Sequence, residues 1–134
     1  MSERAPAPYG DPLHAPFWEA AARRQLALQR CQRCRTHQFF ARPFCLRCDA
    51  DALEWVPASG HGTIYSLTTV HRQVSPELPV PYVGALVELD EGPRLLTTIV
   101  GDAPARIGAR VRVAWKERPN APPLPVFEVV DRVP

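Results

Sequence analysis

The chain contains four cysteines, Cys31, Cys34, Cys45 and Cys48, arranged as two Cys-x-x-Cys pairs with ten residues between them. A pair with this spacing forms a knuckle, a tight turn that points both sulfurs at one ion. Two knuckles complete a tetrahedral thiolate site, for which zinc is the default occupant and iron, in a rubredoxin-like variant, the alternative. Four thiolates leave no coordination position open to water or substrate, so the site reads as a structural clamp. Two disulfides are the competing reading, but they require an oxidising compartment. The opening Met-Ser-Glu-Arg-Ala-Pro has no apolar stretch of a secretory kind, and the expected location is cytoplasmic.

A chain of 134 residues fits one domain, or two very small ones sharing a core. No run approaches the ~18 apolar residues of a membrane helix, so no membrane association is expected. Fifteen of the 16 basic residues are Arg, leaving Lys116 alone; because the bias runs through the whole chain, codon preference explains it better than anion recognition. Eleven of the 16 prolines cluster in 6–16, 76–81 and 119–125, and they read as punctuation between elements.

This punctuation divides the chain into an extended N-terminal arm (1–15), a short helix (16–25), a zinc ribbon (26–57) and a barrel (58–134). Pro16 can occupy the first turn of the helix, and Ala20 to Ala22 have good helix propensity. Phe17 and Trp18 either pack on the chain's own core or anchor a partner. Leu26 and Leu28 alternate with Gln25, Ala27 and Gln29 in a strand that enters the first knuckle. Gln38 to Phe40 returns, and Leu53 to Val56 follows the second knuckle. From Gly60 onward five β-like runs appear: 63–71, 82–89, 94–100, 111–116 and 126–130, the last after a proline-rich loop. Asp90-Glu91-Gly92 supplies a hairpin turn. Five strands in about 75 residues, with no long helix, indicate a small closed barrel of the OB type. The expected fold class is mainly β: an N-terminal helix, a rubredoxin-like ribbon, then a five-stranded OB barrel.

No catalytic constellation emerges from the motifs. The cysteines are committed to metal, and His14, His37, His61 and His71 are scattered. Gly60-His61-Gly62 opens a strand rather than a phosphate-binding helix. Arg23, Arg24, Arg30, Arg33, Arg35 and Arg42, interleaved with Phe39 and Phe40, form a basic-aromatic region that suits single-stranded nucleic acid, a phosphorylated cofactor or an acidic partner protein. The net charge of +2 argues against nucleic acid.

Several longer motifs are more specific: Pro16-Phe17-Trp18, Gln29-Arg30-Cys31, Leu53-Glu54-Trp55, the run from Ser59 to Ser66, Val70-His71-Arg72, Pro81-Tyr82-Val83, the run from Val87 to Arg94, and Ile107-Gly108. In this order they resemble the zinc-ribbon plus OB-fold proteins associated with acyl-CoA enzymes, a family long known as a domain of unknown function. The resemblance covers about residues 16–130. The sequence departs from the family pattern at Arg35, where glycine is frequent, and at Leu46, where proline is frequent. Both changes affect turn geometry rather than ligands.

The resemblance implies an accessory subunit, not catalytic by itself, in a hetero-oligomer with a thiolase-like enzyme. Relatives accompany thiolases, retro-aldolases of steroid side-chain CoA esters, acyltransferases and enoyl-CoA hydratases. The expected interface is Phe17, Trp18, Phe39 and Phe40. The residues themselves leave two other functions open. In one, the chain binds CoA or acyl-CoA alone, with Arg72 or Arg94 on the phosphates. In the other, the barrel binds single-stranded nucleic acid.

Overall fold

A computed structural model describes residues 12–76 and 78–130, so the arm expected over 1–15 lies outside the described residues as far as residue 11. Pro12–His14 form a single 3-10 turn that leads into helix α1, Ala15–Ala22. The helix is shorter than the expected 16–25. Arg24 turns into the left-handed region at φ 58°, and Gln25 and Arg24 donate their N–H groups to the carbonyls of Ala20 and Ala21 at 2.9 and 2.8 Å. That pair of bonds closes the last turn and redirects the chain.

The ribbon follows as β1 (Ala27–Cys31), β2 (His37–Gln38) and β3 (Leu53–Pro57), an antiparallel sheet in the order β2-β1-β3. Five strands then form a closed barrel in the order β4-β5-β6-β8-β7: β4 (His61–Val70), β5 (Tyr82–Leu89), β6 (Arg94–Val100), β7 (Arg110–Arg118) and β8 (Ala121–Val129). All barrel neighbours are antiparallel except β6 and β8. This is OB-fold topology. No helix among the described residues is long and apolar enough to cross a membrane.

The final strand departs from expectation, because it begins inside the stretch read as a proline-rich loop. Pro119 and Asn120 alone make the turn, with Asn120 at φ 61°, and Pro122, Pro123 and Pro125 all lie within β8. Prolines are tolerated there because β8 pairs with β6 only through Ile99↔Phe127 and Val100↔Glu128. Earlier along β8 no ladder with β6 asks for an N–H. A side chain bridges the gap instead: the Thr97 hydroxyl donates to the Pro125 carbonyl at 3.1 Å.

One hydrophobic core serves all three parts. Phe17 from the helix and Leu26 and Leu28 from the ribbon join Ile64, Val87, Leu89, Val111 and Phe127 of the barrel in one buried cluster. The Ala58 N–H, donated to the Leu26 carbonyl at 2.7 Å, ties the barrel's lead-in to the ribbon. Burial of this kind stabilises each large side chain by roughly 1.5–3 kcal/mol relative to exposure. Phe17 is therefore committed to the chain's own core, at 3% exposure.

Barrel closure depends on Gly62, where β4 pairs with both β5 and β7 through Leu89 and Val111. A Cβ on Gly62 would lie 2.6 Å from the Glu88 carbonyl oxygen and 2.8 Å from Val87 Cγ1. Neither backbone nor core can yield that distance cheaply. Gly62→Ala is expected to destabilise the metal-loaded protein by about 2 kcal/mol, measured as a fall in the denaturation midpoint; an unchanged midpoint would show that the strands separate freely there.

Candidate metal centre and docking face

The two knuckles repeat one geometry. In the first, the Cys31 carbonyl accepts the Arg35 N–H at 2.8 Å and the Arg33 N–H points at Cys31 Sγ, 3.3 Å away. In the second, the Cys45 carbonyl accepts the Asp49 N–H at 2.8 Å and the Arg47 N–H points at Cys45 Sγ, also at 3.3 Å. Each closing residue is left-handed, Arg35 at φ 69° and Asp49 at φ 66°. This explains why glycine suits the position after the first knuckle.

The four sulfurs lie within 4.8 Å of one another, with Cys31–Cys48 and Cys34–Cys45 both at 3.6 Å. A tetrahedron with Zn–S bonds of about 2.3 Å places its sulfurs about 3.8 Å apart, so the donor set fits zinc. Zinc held by Cys31, Cys34, Cys45 and Cys48 supplies a cross-link between two turns that share few other contacts. Thiol acidity matches this role. Thr36, through its hydroxyl and then its N–H, draws the Cys34 thiol down to about 6. At Cys48 the Ala50 N–H also pulls downward, but desolvation and the three neighbouring sulfurs outweigh it and push the thiol up to about 11. The set thus keeps some of its protons at neutral pH until a metal displaces them, and metal affinity falls as the medium becomes acidic.

Across the strands beside the centre, Arg30 forks onto Glu54 with bonds of 2.8 and 2.7 Å, joining β1 to β3. Arg30, then Gln32, lowers the Glu54 carboxyl below its ordinary value. Because the folded value is depressed, this contribution is complete above the ordinary carboxylate range and disappears as pH falls through the lowered value.

Sequence reasoning missed a buried amide network. Alternation in β1 places Gln29 outward, yet it is 3% exposed, because the loop between the knuckles folds over that face. Gln29 Oε1 accepts the Arg42 N–H at 2.9 Å, and its Nε2 donates to the Arg42 carbonyl at 3.0 Å. Gln38 donates to Gln29 Oε1 at 2.9 Å and to the Phe44 carbonyl at 3.3 Å, and accepts the Leu46 N–H at 3.0 Å. The Ala41 N–H is donated to His14 Nε2 at 3.1 Å. The available signal was polar: two glutamines on neighbouring strands, beside a loop whose backbone has no ladder.

Next to this loop, His14, Trp18, Phe39 and Phe40 line an aromatic cleft of about 410 Å³. The rings meet edge-on or tilted, with centroids 4.9 Å apart for Phe17–Trp18 and 4.7 Å for Phe39–Phe40. The cleft shares Leu96, Leu124 and Pro125 with a second apolar groove of about 700 Å³ that runs across the barrel face past Leu67 and Tyr82. Of the four aromatics expected at an interface, Phe17 is buried, Trp18 and Phe39 are half-buried, and Phe40 is exposed.

The two arginines considered for phosphate are not brought together. Arg94 pairs with Glu88 at one end of β5, while Arg72 follows Val70, which pairs with Tyr82 at the other. Six residues of strand separate the ends, about 20 Å. Arg94 is also occupied, lying 3.7 Å above the centroid of the Tyr65 ring.

A four-sulfur knuckle pair in a three-stranded ribbon, sharing one core with an OB barrel, defines a zinc-ribbon/OB-fold protein. Residues 18–54 match the family model of the ChsH2 rubredoxin-like zinc ribbon domain, and residues 55–116 match that of the ChsH2 C-terminal OB-fold domain. The chain belongs to this family, known as DUF35. It is similar to a chain of the Ltp2-ChsH2(DUF35) aldolase, with 40% identity, a TM-score of 0.81 and coverage of 89% of this chain and 95% of that one. It is 43% identical over 114 residues to the probable enoyl-CoA hydratase alpha subunit of Thermomonospora curvata, covering 83% of this chain and 36% of that protein. It is 41% identical over 70 residues to the 3-oxo-4,17-pregnadiene-20-carboxyl-CoA hydratase alpha subunit of Mycobacterium tuberculosis, covering 51% and 22%. The chain therefore spans about a third or less of the length of these two relatives.

Three outcomes test the centre. The purified chain should carry one zinc by elemental analysis, and Cys31→Ser should abolish that loading and melt the ribbon. Arg35→Gly should raise stability by about 1 kcal/mol, since the left-handed residue no longer carries a Cβ; a lower melting temperature would show that the Arg35 side chain is needed where it stands. Gln29→Leu leaves the Arg42 N–H and carbonyl unpaired, and should destabilise by on the order of 2–4 kcal/mol with loss of hydrogen-exchange protection at Arg42.

Proposed function

We propose that this chain is a non-catalytic accessory subunit that binds and stabilises a thiolase-fold enzyme (thiolase, retro-aldolase or acyltransferase) acting on acyl-CoA esters in the cytoplasm, in steroid or lipid side-chain degradation. The observation that carries this reading is the 40% identity to a chain of the Ltp2-ChsH2(DUF35) aldolase over 95% of that chain. The acyl-CoA substrate class is supported by the two hydratase alpha subunits. The site agrees. Its four sulfurs saturate a tetrahedral ion, so the metal's chemistry here is to cross-link two turns. The histidines stay apart in the fold: His14 is bonded to a loop amide, His37 is in β2, His61 opens β4 and His71 follows it.

The chain also exposes large apolar side chains, including Phe40, Phe44, Leu46 and Leu96. Exposed apolar surface next to a rigid core is characteristic of a subunit interface. The separation of Arg72 from Arg94 weighs against a stand-alone CoA site built on the pair.

Affinity purification of the tagged chain from its native host tests the proposal. A thiolase-fold enzyme should be retained in stoichiometric amount, should turn over an acyl-CoA ester in the complex, and should melt at a lower temperature when separated. Recovery of the chain alone, with no effect on such an enzyme, would refute the proposal.

A further inference from the structure

If the chain is such a subunit, the geometry points to the place where the enzyme grips it. We infer that the primary contact is the inter-knuckle loop 39–46, which seats Phe40, Phe44 and Leu46 in an apolar depression of the enzyme subunit rimmed by carboxylates. The inference rests on the function proposed above.

Three observations converge on this loop. First, its large side chains face outward: Phe40 is 56% exposed, Phe44 44% and Leu46 60%. Second, its backbone is held rigidly from beneath. His14, Gln29 and Gln38 satisfy the Ala41 N–H, both backbone groups of Arg42, the Phe44 carbonyl and the Leu46 N–H. A loop that only had to connect two knuckles would need neither apolar tips in water nor five backbone groups pinned. Rigid apolar tips bind with little ordering cost, the property of interface hot spots. Third, residues 32–47 carry Arg33, Arg35, Arg42 and Arg47 with no Asp or Glu. Arg33 lines one surface depression with Asp49 and Asp51, and Arg35 acts on Glu54. Arg42 and Arg47, which bracket Phe44 and Leu46 in the chain, form no ion pair among the described residues. Arg42 Nη1 donates to the Ala41 carbonyl at 3.1 Å, which leaves its other N–H groups and the Arg47 guanidinium to meet carboxylates on the rim of the partner's depression.

The decisive experiment measures affinity between the zinc-loaded chain and the thiolase-fold subunit recovered by co-purification. Phe40→Ala with Leu46→Asp should weaken binding by at least about tenfold. Arg42→Glu with Arg47→Glu should weaken it comparably at low salt and less at high salt, as expected for rim charges. This second pair alters exposed side chains only, so it keeps the test valid if the first fails to fold. Ile107→Ser, on a connection of the barrel, should bind as the parent does. Zinc content and melting temperature should be unchanged in every variant that is scored.

Affinity within about twofold of the parent for both loop variants would overturn the inference while leaving the subunit role intact. So would loss of binding on Leu96→Glu alone, which would move the contact to the barrel groove. Sedimentation of the chain by itself supplies a third check: a dimer that dissociates on Leu46→Asp would assign the loop to a second copy and overturn the inference. If the parent chain retains no thiolase-fold subunit, both the inference and the function beneath it fall.

Discussion

Four sulfurs around one ion hold together a segment that has little else to hold it. Between Cys31 and Cys48 the only strand is the two-residue β2, and each knuckle turn closes on just two backbone hydrogen bonds, Cys31 with Thr36 and Arg35 in the first and Cys45 with Ala50 and Asp49 in the second. Metal ligation substitutes for the core that a segment this short cannot build. Its influence extends further because β1 leads directly into the first knuckle. The same strand that ends in a zinc ligand places Leu28 in the core against the barrel. Fixing the knuckles therefore fixes one wall of the hydrophobic cluster, and through Phe17 the helix as well.

Much of this was legible in the sequence because its causes are local. The cysteine spacing defines the centre, β-branched and aromatic content marks β4, apolar alternation marks β5 and β7, and Asp90-Glu91-Gly92 marks a hairpin whose Gly92 sits at φ 118°. What could not be read depends on contacts distant in the chain. Phe17 is buried because the ribbon and barrel close over it, and nothing in Pro16-Phe17-Trp18 distinguishes that outcome from exposure. Proline within β8 reads as loop unless one knows that β6 has parted from it at that level. Gln29 looks like the outward residue of an alternating strand until a loop 13 residues later covers it. Arg24 terminates the helix early through a left-handed turn that no propensity scale assigns to arginine. The distance between Arg72 and Arg94 is set by the length of β5, which no motif records.

The surface divides the labour in a consistent way. Charged side chains at the barrel's β4–β7–β8 side are internally matched: Arg110 forks onto Asp90 at 2.8 and 3.0 Å, and Arg112 reaches Glu128 at 2.8 Å. Such exposed pairs contribute little to stability, typically below 1 kcal/mol each. They do leave that side polar and self-satisfied. The aromatic cleft, the barrel groove and the inter-knuckle loop gather Phe40, Phe44, Leu46 and Leu96, while Tyr65, Val74 and Ile107 are exposed elsewhere. For the subunit role proposed above, grouping apolar side chains in one region favours contact there, whereas a uniformly apolar surface would aggregate.

The shared core also bears on how such a protein can change over generations. The two family models meet between residues 54 and 55, yet that junction falls inside β3, Leu53–Pro57, and the strand is paired along its length with β1. Recombination at the seam would graft half a strand onto a foreign neighbour and leave Leu26 and Leu28 facing a barrel that was never shaped for them. Ribbon and barrel thus share one continuous strand and one core, so a substitution on either side of that core bears on the packing of the other.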